Sequence, residues 1–92
     1  MQRNYTVLYI SYMPFAHVVV PAGALSVEKK QKIVELVTDA IVAAEEAPPA
    51  LRPYVTVLVS EAAEGGWGIG GRGYTGPELR GLVREAAARG TS

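Results

Sequence analysis

The sequence contains no cysteine and only one histidine, His17, among its 92 residues. Without cysteine there are no disulfides and no thiolate chemistry. A metal cage would have to rest mainly on carboxylates, so we expect no metal site. The chain has four serines and a single histidine, so few residues are available for a Ser-His-Asp triad. A lone histidine in a strand is more often structural than catalytic, and we expect that of His17.

An excess of one charge and long apolar runs are also lacking. Nine Lys and Arg residues balance nine Asp and Glu residues. The basic residues are spread along the chain, so we expect no nucleic-acid partner. No apolar run reaches the roughly 18 residues that a membrane span needs. Polar residues interrupt the β-prone segment Tyr5–Tyr12 and no small-residue cleavage site follows it, so we expect no signal peptide and a cytoplasmic protein.

Large side chains for a hydrophobic core are scarce as well. Only seven residues are aromatic, and alanine and glycine are plentiful. A single domain of this length buries only roughly 60–65% of its unfolded surface. Because no disulfide or metal is expected to compensate, oligomerisation is the expected source of further burial.

The periodicity predicts a strand, a helix and a second strand. Phe15–Val20 is a β-prone run that ends at Pro21. Ser26 can cap a helix over about residues 27–46, which Pro48 and Pro49 end. Residues 54–60 form a near-continuous apolar strand, which suggests parallel pairing with both faces buried. The order predicts a β-α-β unit with a right-handed crossover. Two strands and one helix leave a sheet edge and a sheet face uncovered, and a second copy of the chain is the simplest cover.

Glycine is concentrated between residues 65 and 76, where seven of the ten glycines lie. This composition predicts turns or a short hairpin. Residues 66–71 fit the G-x-G-x-x-G pattern, but they do not open directly into a helix and no second β-α-β half follows, so we expect no nucleotide site. Pro77 suits the first turn of a helix that should end near Arg89.

Three segments together resemble the 4-oxalocrotonate tautomerase family. They are MPFAHVVV at residues 13–20, SVEKKQK at residues 26–32, and SEA followed by GWGIGG at residues 60–71. The resemblance covers more than half of the chain. It implies an α/β (α+β) fold in which a β-α-β unit and a glycine-rich turn or hairpin form the domain 14–76. Residues 1–13 would be an N-terminal extension, residues 77–92 an extra C-terminal helix and tail, and oligomerisation would complete the sheet.

The resemblance also implies a chemistry. Family members lose their initiator methionine, and the exposed proline acts as general base in the tautomerisation of a small unsaturated keto or hydroxy carboxylic acid. Pro14 would be that base, and no cofactor would be needed. The chain would assemble with itself, as a dimer, trimer or hexamer.

Two arginines of the best-known family members are missing here. One follows the first-strand turn, where this chain has Ala24 or Leu25. The other lies early in the second strand, where this chain has Thr56. In the family these arginines bind the substrate's carboxylate and carbonyl groups.

Other residues could complete the substrate site. Trp67 takes the place of the family's phenylalanine in the glycine turn, either as an apolar wall of the site or as an interface residue. Arg52 and Arg72 are the nearest replacements for the arginines, since either could bind a carboxylate bidentately. Either could equally be an ordinary solvated arginine.

The residues before Pro14 set a condition on this chemistry. While Met13 is attached, the nitrogen of Pro14 is a tertiary amide without basicity. Three explanations stay open: a true start at Met13, which the Met-Pro pair favours, processing of the extension, or a homologue that is not a proline-based catalyst. The alternative functions are a dehalogenase or hydratase, with Glu61 or Glu64 orienting water, and a non-catalytic oligomeric binding module.

Overall fold

A computed structural model describes residues 13–90 and shows a β-α-β unit followed by a hairpin and a helix. The elements are, in order, β1 (Phe15–Val20), α1 (Val27–Glu45), a 3₁₀ helix (Pro49–Tyr54), β2 (Thr56–Glu61), β3 (Trp67–Ile69), β4 (Arg72–Tyr74) and α2 (Gly76–Gly90). Strands β1 and β2 pair in parallel, and β3 and β4 form a separate antiparallel sheet. The α+β fold predicted from the sequence is confirmed, while the β-prone segment 5–12 lies outside the described residues.

Local signals define both ends of α1. The hydroxyl of Ser26 accepts a hydrogen bond from the backbone N–H of Lys29 at 3.2 Å, so this residue is the cap that the sequence predicts. At the other end, Glu46 adopts the left-handed conformation (φ 52°), and its N–H donates to the carbonyl of Ala43. The predicted span of 27–46 is thus confirmed to within one residue.

The second strand begins later than the sequence predicts. We expected residues 54–60, but the strand is Thr56–Glu61, and Tyr54 ends the 3₁₀ helix. The prolines explain the shift. Pro49 and Pro53 fix φ near the helical value and cannot donate to a sheet ladder, so the backbone turns tightly before it extends.

The two faces of the β1–β2 sheet differ in their cover. Helix α1 packs against the sheet through β2, and on β1 the residues Ala16 and Val18 are half-buried. On the opposite face Phe15, Val19 and Leu58 are 63%, 45% and 46% exposed. The expectation that the second strand is buried on both faces is therefore wrong for the single chain, because no element within residues 13–90 covers this face.

His17 lies on the exposed face, as the alternation of the strand predicts. Its Nε2 atom is 2.6 Å from the hydroxyl of Ser60 on the neighbouring strand, at hydrogen-bond distance. The pair bridges β1 and β2, which accords with a structural histidine. Among the described residues, no group of histidine and acidic side chains could hold a metal ion. No helix in the same range is long and apolar enough to cross a membrane.

The glycine-rich segment forms the predicted hairpin. Gly70 and Gly71, with φ of 60° and 84°, make the two-residue connection between β3 and β4. A type I′ turn requires positive φ at both positions, which glycine adopts without a steric penalty. Gly73 is also needed, because a Cβ there would collide with the carbonyl oxygen of Gly65. The glycines thus build a strand turn rather than a phosphate loop.

Candidate active site

Pro14 lies at the amino end of the parallel sheet. Its carbonyl oxygen accepts a hydrogen bond from the N–H of Thr56 at 3.0 Å, which holds the residue beside the start of β2. Pro14 is half-buried, whereas Met13 is 72% exposed. The peptide bond between the two residues therefore joins an exposed methionine to a proline that is held at the sheet.

Arg52 lies at the same end of the sheet because it directly precedes β2 in the 3₁₀ helix. Its Nε and Nη2 atoms donate to Oδ1 of Asp39 on α1, at 3.0 and 2.9 Å. Both side chains are about half exposed, and exposed ion pairs of this kind contribute at most about 1 kcal/mol. Arg52 thus lies at the same end of the sheet as Pro14, and its guanidinium is paired with Asp39.

Trp67 and Arg72 lie on the hairpin. Trp67 is half-buried and pairs with Tyr74 across β3 and β4. The Arg72 guanidinium lies 4.5 Å from the centre of the Tyr74 ring and donates from Nη2 to Glu78 at 2.9 Å. The hairpin therefore presents a tryptophan and a stacked, paired arginine.

The partner of Arg72 belongs to a capping box that our sequence analysis missed. The carboxylate of Glu78 accepts from the N–H of Thr75 at 2.9 Å, and the N–H of Glu78 donates to the Thr75 hydroxyl at 3.3 Å. The Thr75 N–H, and after it the charge of Arg72, lower the pKa of Glu78. The Thr-x-x-Glu spacing before α2 is the signal that would have revealed it.

The four candidate residues do not come together in one chain. Pro14 and Arg52 lie at the amino ends of β1 and β2, whereas the hairpin with Trp67 and Arg72 follows the carboxyl end of β2. A six-residue strand spans about 20 Å. Within one chain, the hairpin residues therefore follow the end of the parallel sheet opposite to that of Pro14 and Arg52.

Two acidic residues considered for water activation have structural partners. Glu61 pairs with Val20 in the sheet register, at the end away from Pro14. It accepts from Lys30 Nζ at 2.7 Å and from the N–H of Gly23 at 3.2 Å, and the Lys30 bond, followed by the Gly23 bond, lowers its pKa. Glu64 accepts from the N–H of Gly76 at 2.7 Å. These carboxylates hold the β1–α1 turn and the start of α2.

Comparison with known proteins assigns the chain to a class. The family model described as Tautomerase enzyme matches residues 14–75, well over half of the chain, and the protein belongs to this family. The crystal structure of DmpI from Helicobacter pylori is similar to it, with 27% sequence identity, coverage of 65% of this chain and 94% of that chain, and a TM-score of 0.55. No curated protein matches the chain. Family and fold support a function of the isomerase, tautomerase type.

Proposed function

We propose that the protein isomerises a small unsaturated keto or hydroxy carboxylic acid, with Pro14 as general base once it is the amino-terminal residue. One observation carries the proposal: the family match begins at Pro14, the residue whose carbonyl is bonded to the N–H of Thr56 at the amino end of the sheet. Met13 follows the usual pattern of a methionine that is removed before proline.

The chemistry follows from the state of the proline nitrogen. As an amide it has no basic lone pair. A free α-amino group in an unperturbed chain has a pKa of about 7.7–8.0. This pKa is close to a working pH, so a free amine at Pro14 suits the role of general base. The amine takes a proton from one carbon of the substrate, and the electrons shift through the conjugated system. The ammonium then returns the proton to another carbon, which regenerates the base without a cofactor.

The site is proposed to be completed by another copy of the chain. The hairpin of one chain lies at the far end of the sheet from its own Pro14, and the apolar sheet face is uncovered. A symmetric pairing of two chains with opposed strand directions would bring the hairpin end of one near the proline end of the other. The self-association predicted from the sequence thus gains a functional reason.

Arg52 and Arg72 are proposed to bind the substrate's carboxylate, with Trp67 as an apolar wall. Each arginine is held by one exposed carboxylate, Asp39 or Glu78, and a substrate carboxylate could replace such a partner at small cost. Where the family has its two arginines, this chain has Ala24 or Leu25 and, in the second strand, Thr56. We therefore propose that monocarboxylates with an apolar body are better substrates than dicarboxylates.

The decisive experiment compares two forms of the chain. A form that begins at Pro14, released by proteolysis of a fusion, and the form with residues 1–13 are assayed for ketonisation of phenylenolpyruvate. We expect the first to be faster by roughly 10²–10⁴-fold, the usual contribution of a general base. Pro14→Ala in the shortened form should remove this gain.

Equal activity of the two forms, or activity that survives Pro14→Ala, refutes the proline mechanism. The intact mass of protein from its native host gives the second test. A mass beginning at Pro14 supports the enzyme, whereas one beginning at Met1 supports a non-catalytic binding module.

The substrate proposal has its own test. In the form that begins at Pro14, kcat/KM is compared for a hydroxy-diene dicarboxylate and an aryl monocarboxylate. Arg52→Ala and Arg72→Ala should each lower kcat/KM for the monocarboxylate if they bind it, and Arg89→Ala, on the exposed end of α2, is the control. A strong dicarboxylate preference that neither substitution reduces refutes the proposed substrate site.

A further inference from the structure

A pocket lies between the turn that follows β1 and the helix α2. Its volume is about 480 Å³, in the range of small-molecule sites. The walls are mostly apolar. The turn contributes Pro21, Ala24 and Leu25, and the helix contributes Leu79 and Val83. Since α2 begins after the matched segment 14–75, half of this pocket is built by a part of the chain that the family match does not cover.

Two arginines are the charged groups that line the pocket. Arg80 is positioned, because its Nη1 donates to the carbonyl of Ala22 at 3.0 Å. Arg84 follows one helical turn later and also lines the pocket. A guanidinium has five N–H groups, so the single bond to Ala22 leaves most of the donors of Arg80 for a ligand.

No acidic residue lines the pocket. Within residues 13–90, the side chain of Arg84 makes no hydrogen bond or ion pair. Its neighbour Glu85 pairs with Arg89 at 3.7 Å, and Glu64, near Gly76, accepts from that backbone N–H. Glu64 lies near Arg80, since a Cβ on Gly76 would be 3.2 Å from Glu64 Oε1 and 3.0 Å from Arg80 Nη1. Arg84 is therefore the lining guanidinium without an acidic partner within residues 13–90, and it lies beside apolar walls, which suits an anion carried on an apolar group.

We propose that this pocket binds a small monocarboxylate with an apolar body, whose carboxylate pairs with Arg84 and with the remaining N–H groups of Arg80. The pocket follows the carboxyl end of β1, about 20 Å from Pro14 along the strand, so within one chain it is separate from the proline. The proposal does not depend on the catalytic role of that proline.

The test uses 3-phenylpropionate as probe, titrated by calorimetry against the full chain. The neutral 3-phenylpropanol is the matched ligand without charge. Arg84→Gln is the main variant, because this side chain has no bond to lose within residues 13–90, and Arg89→Gln removes the same charge from the same helix outside the pocket. Methyl NMR shifts of Ala24, Leu25 and Val83 locate the bound probe.

We expect the acid to bind at least roughly 10-fold more tightly than the alcohol. Arg84→Gln should weaken the acid roughly 10- to 100-fold, the effect of one charge-assisted hydrogen bond, and Arg89→Gln should leave its affinity unchanged. Equal affinity of acid and alcohol, equal effects of the two substitutions, or shifts centred on Trp67 instead of the pocket methyls would each overturn the proposal. Binding in the full chain requires no catalysis, so this result is independent of the activity test.

Discussion

Truncation of Leu58 tests whether the uncovered sheet face is the surface through which the chain self-associates. Burial of a whole leucine side chain contributes about 1.5–3 kcal/mol. Since 46% of Leu58 is still exposed in the single chain, association can bury about half of it, roughly 0.7–1.4 kcal/mol per chain. In a twofold-symmetric dimer Leu58 of both chains is buried, so this free energy applies twice. Leu58→Ala should therefore raise the Kd of the dimer roughly 10- to 100-fold.

The assay is a dilution series in sedimentation velocity, with helix content checked by circular dichroism. Leu36→Ala is the matched control, because Leu36 is similarly exposed (54%) but lies on α1, which packs on the other face of the sheet. We expect Leu58→Ala to dissociate at higher concentration than the parent and Leu36→Ala to behave as the parent. A parent that is monomeric at micromolar concentration, or equal dissociation of the two variants, would refute the argument.

Three further predictions concern stability. In the folded protein the pKa of Glu61 is depressed, so its ion pair with Lys30 stabilises the fold above the ordinary pKa of glutamate and is lost as the pH falls through the depressed value. The difference in Tm between the parent and Glu61→Gln should therefore shrink from pH 7 to pH 3. A constant difference would contradict this reasoning. Thr75→Ala removes the cap of α2 and should cost about 0.5–2 kcal/mol, seen as faster amide exchange in the first turn of α2, whereas exchange as slow as in the parent would contradict the capping role. Gly73→Ala should destabilise the hairpin by about 1–3 kcal/mol, because its Cβ meets the Gly65 carbonyl; an unchanged Tm would show that the loop yields freely.

The sequence identified most elements because their signals are local. The β-branched run of β1, the Ser26 cap and the glycine-rich composition of residues 65–76 act over a few residues, and the structure has a strand, a helix start and a hairpin at these places. The start of β2 was misplaced because the apolar pattern includes Tyr54, while the backbone of that residue is set by Pro53 and the 3₁₀ helix. The pattern of apolar residues does not show that a proline keeps its neighbours out of the strand.

The sequence alone determined the β-α-β order, the family resemblance around Pro14, and the shortage of large core side chains that makes self-association a reasonable expectation. Only the tertiary structure decided how the candidate residues are distributed. Parallel pairing puts Arg52 at the same end as Pro14 and the hairpin with Trp67 beyond the other end. The partner of Arg52 is 13 residues away, and Arg80 donates to the carbonyl of Ala22, which is 58 residues away. Such contacts depend on the path of the backbone through space, and spacing along the sequence does not specify that path.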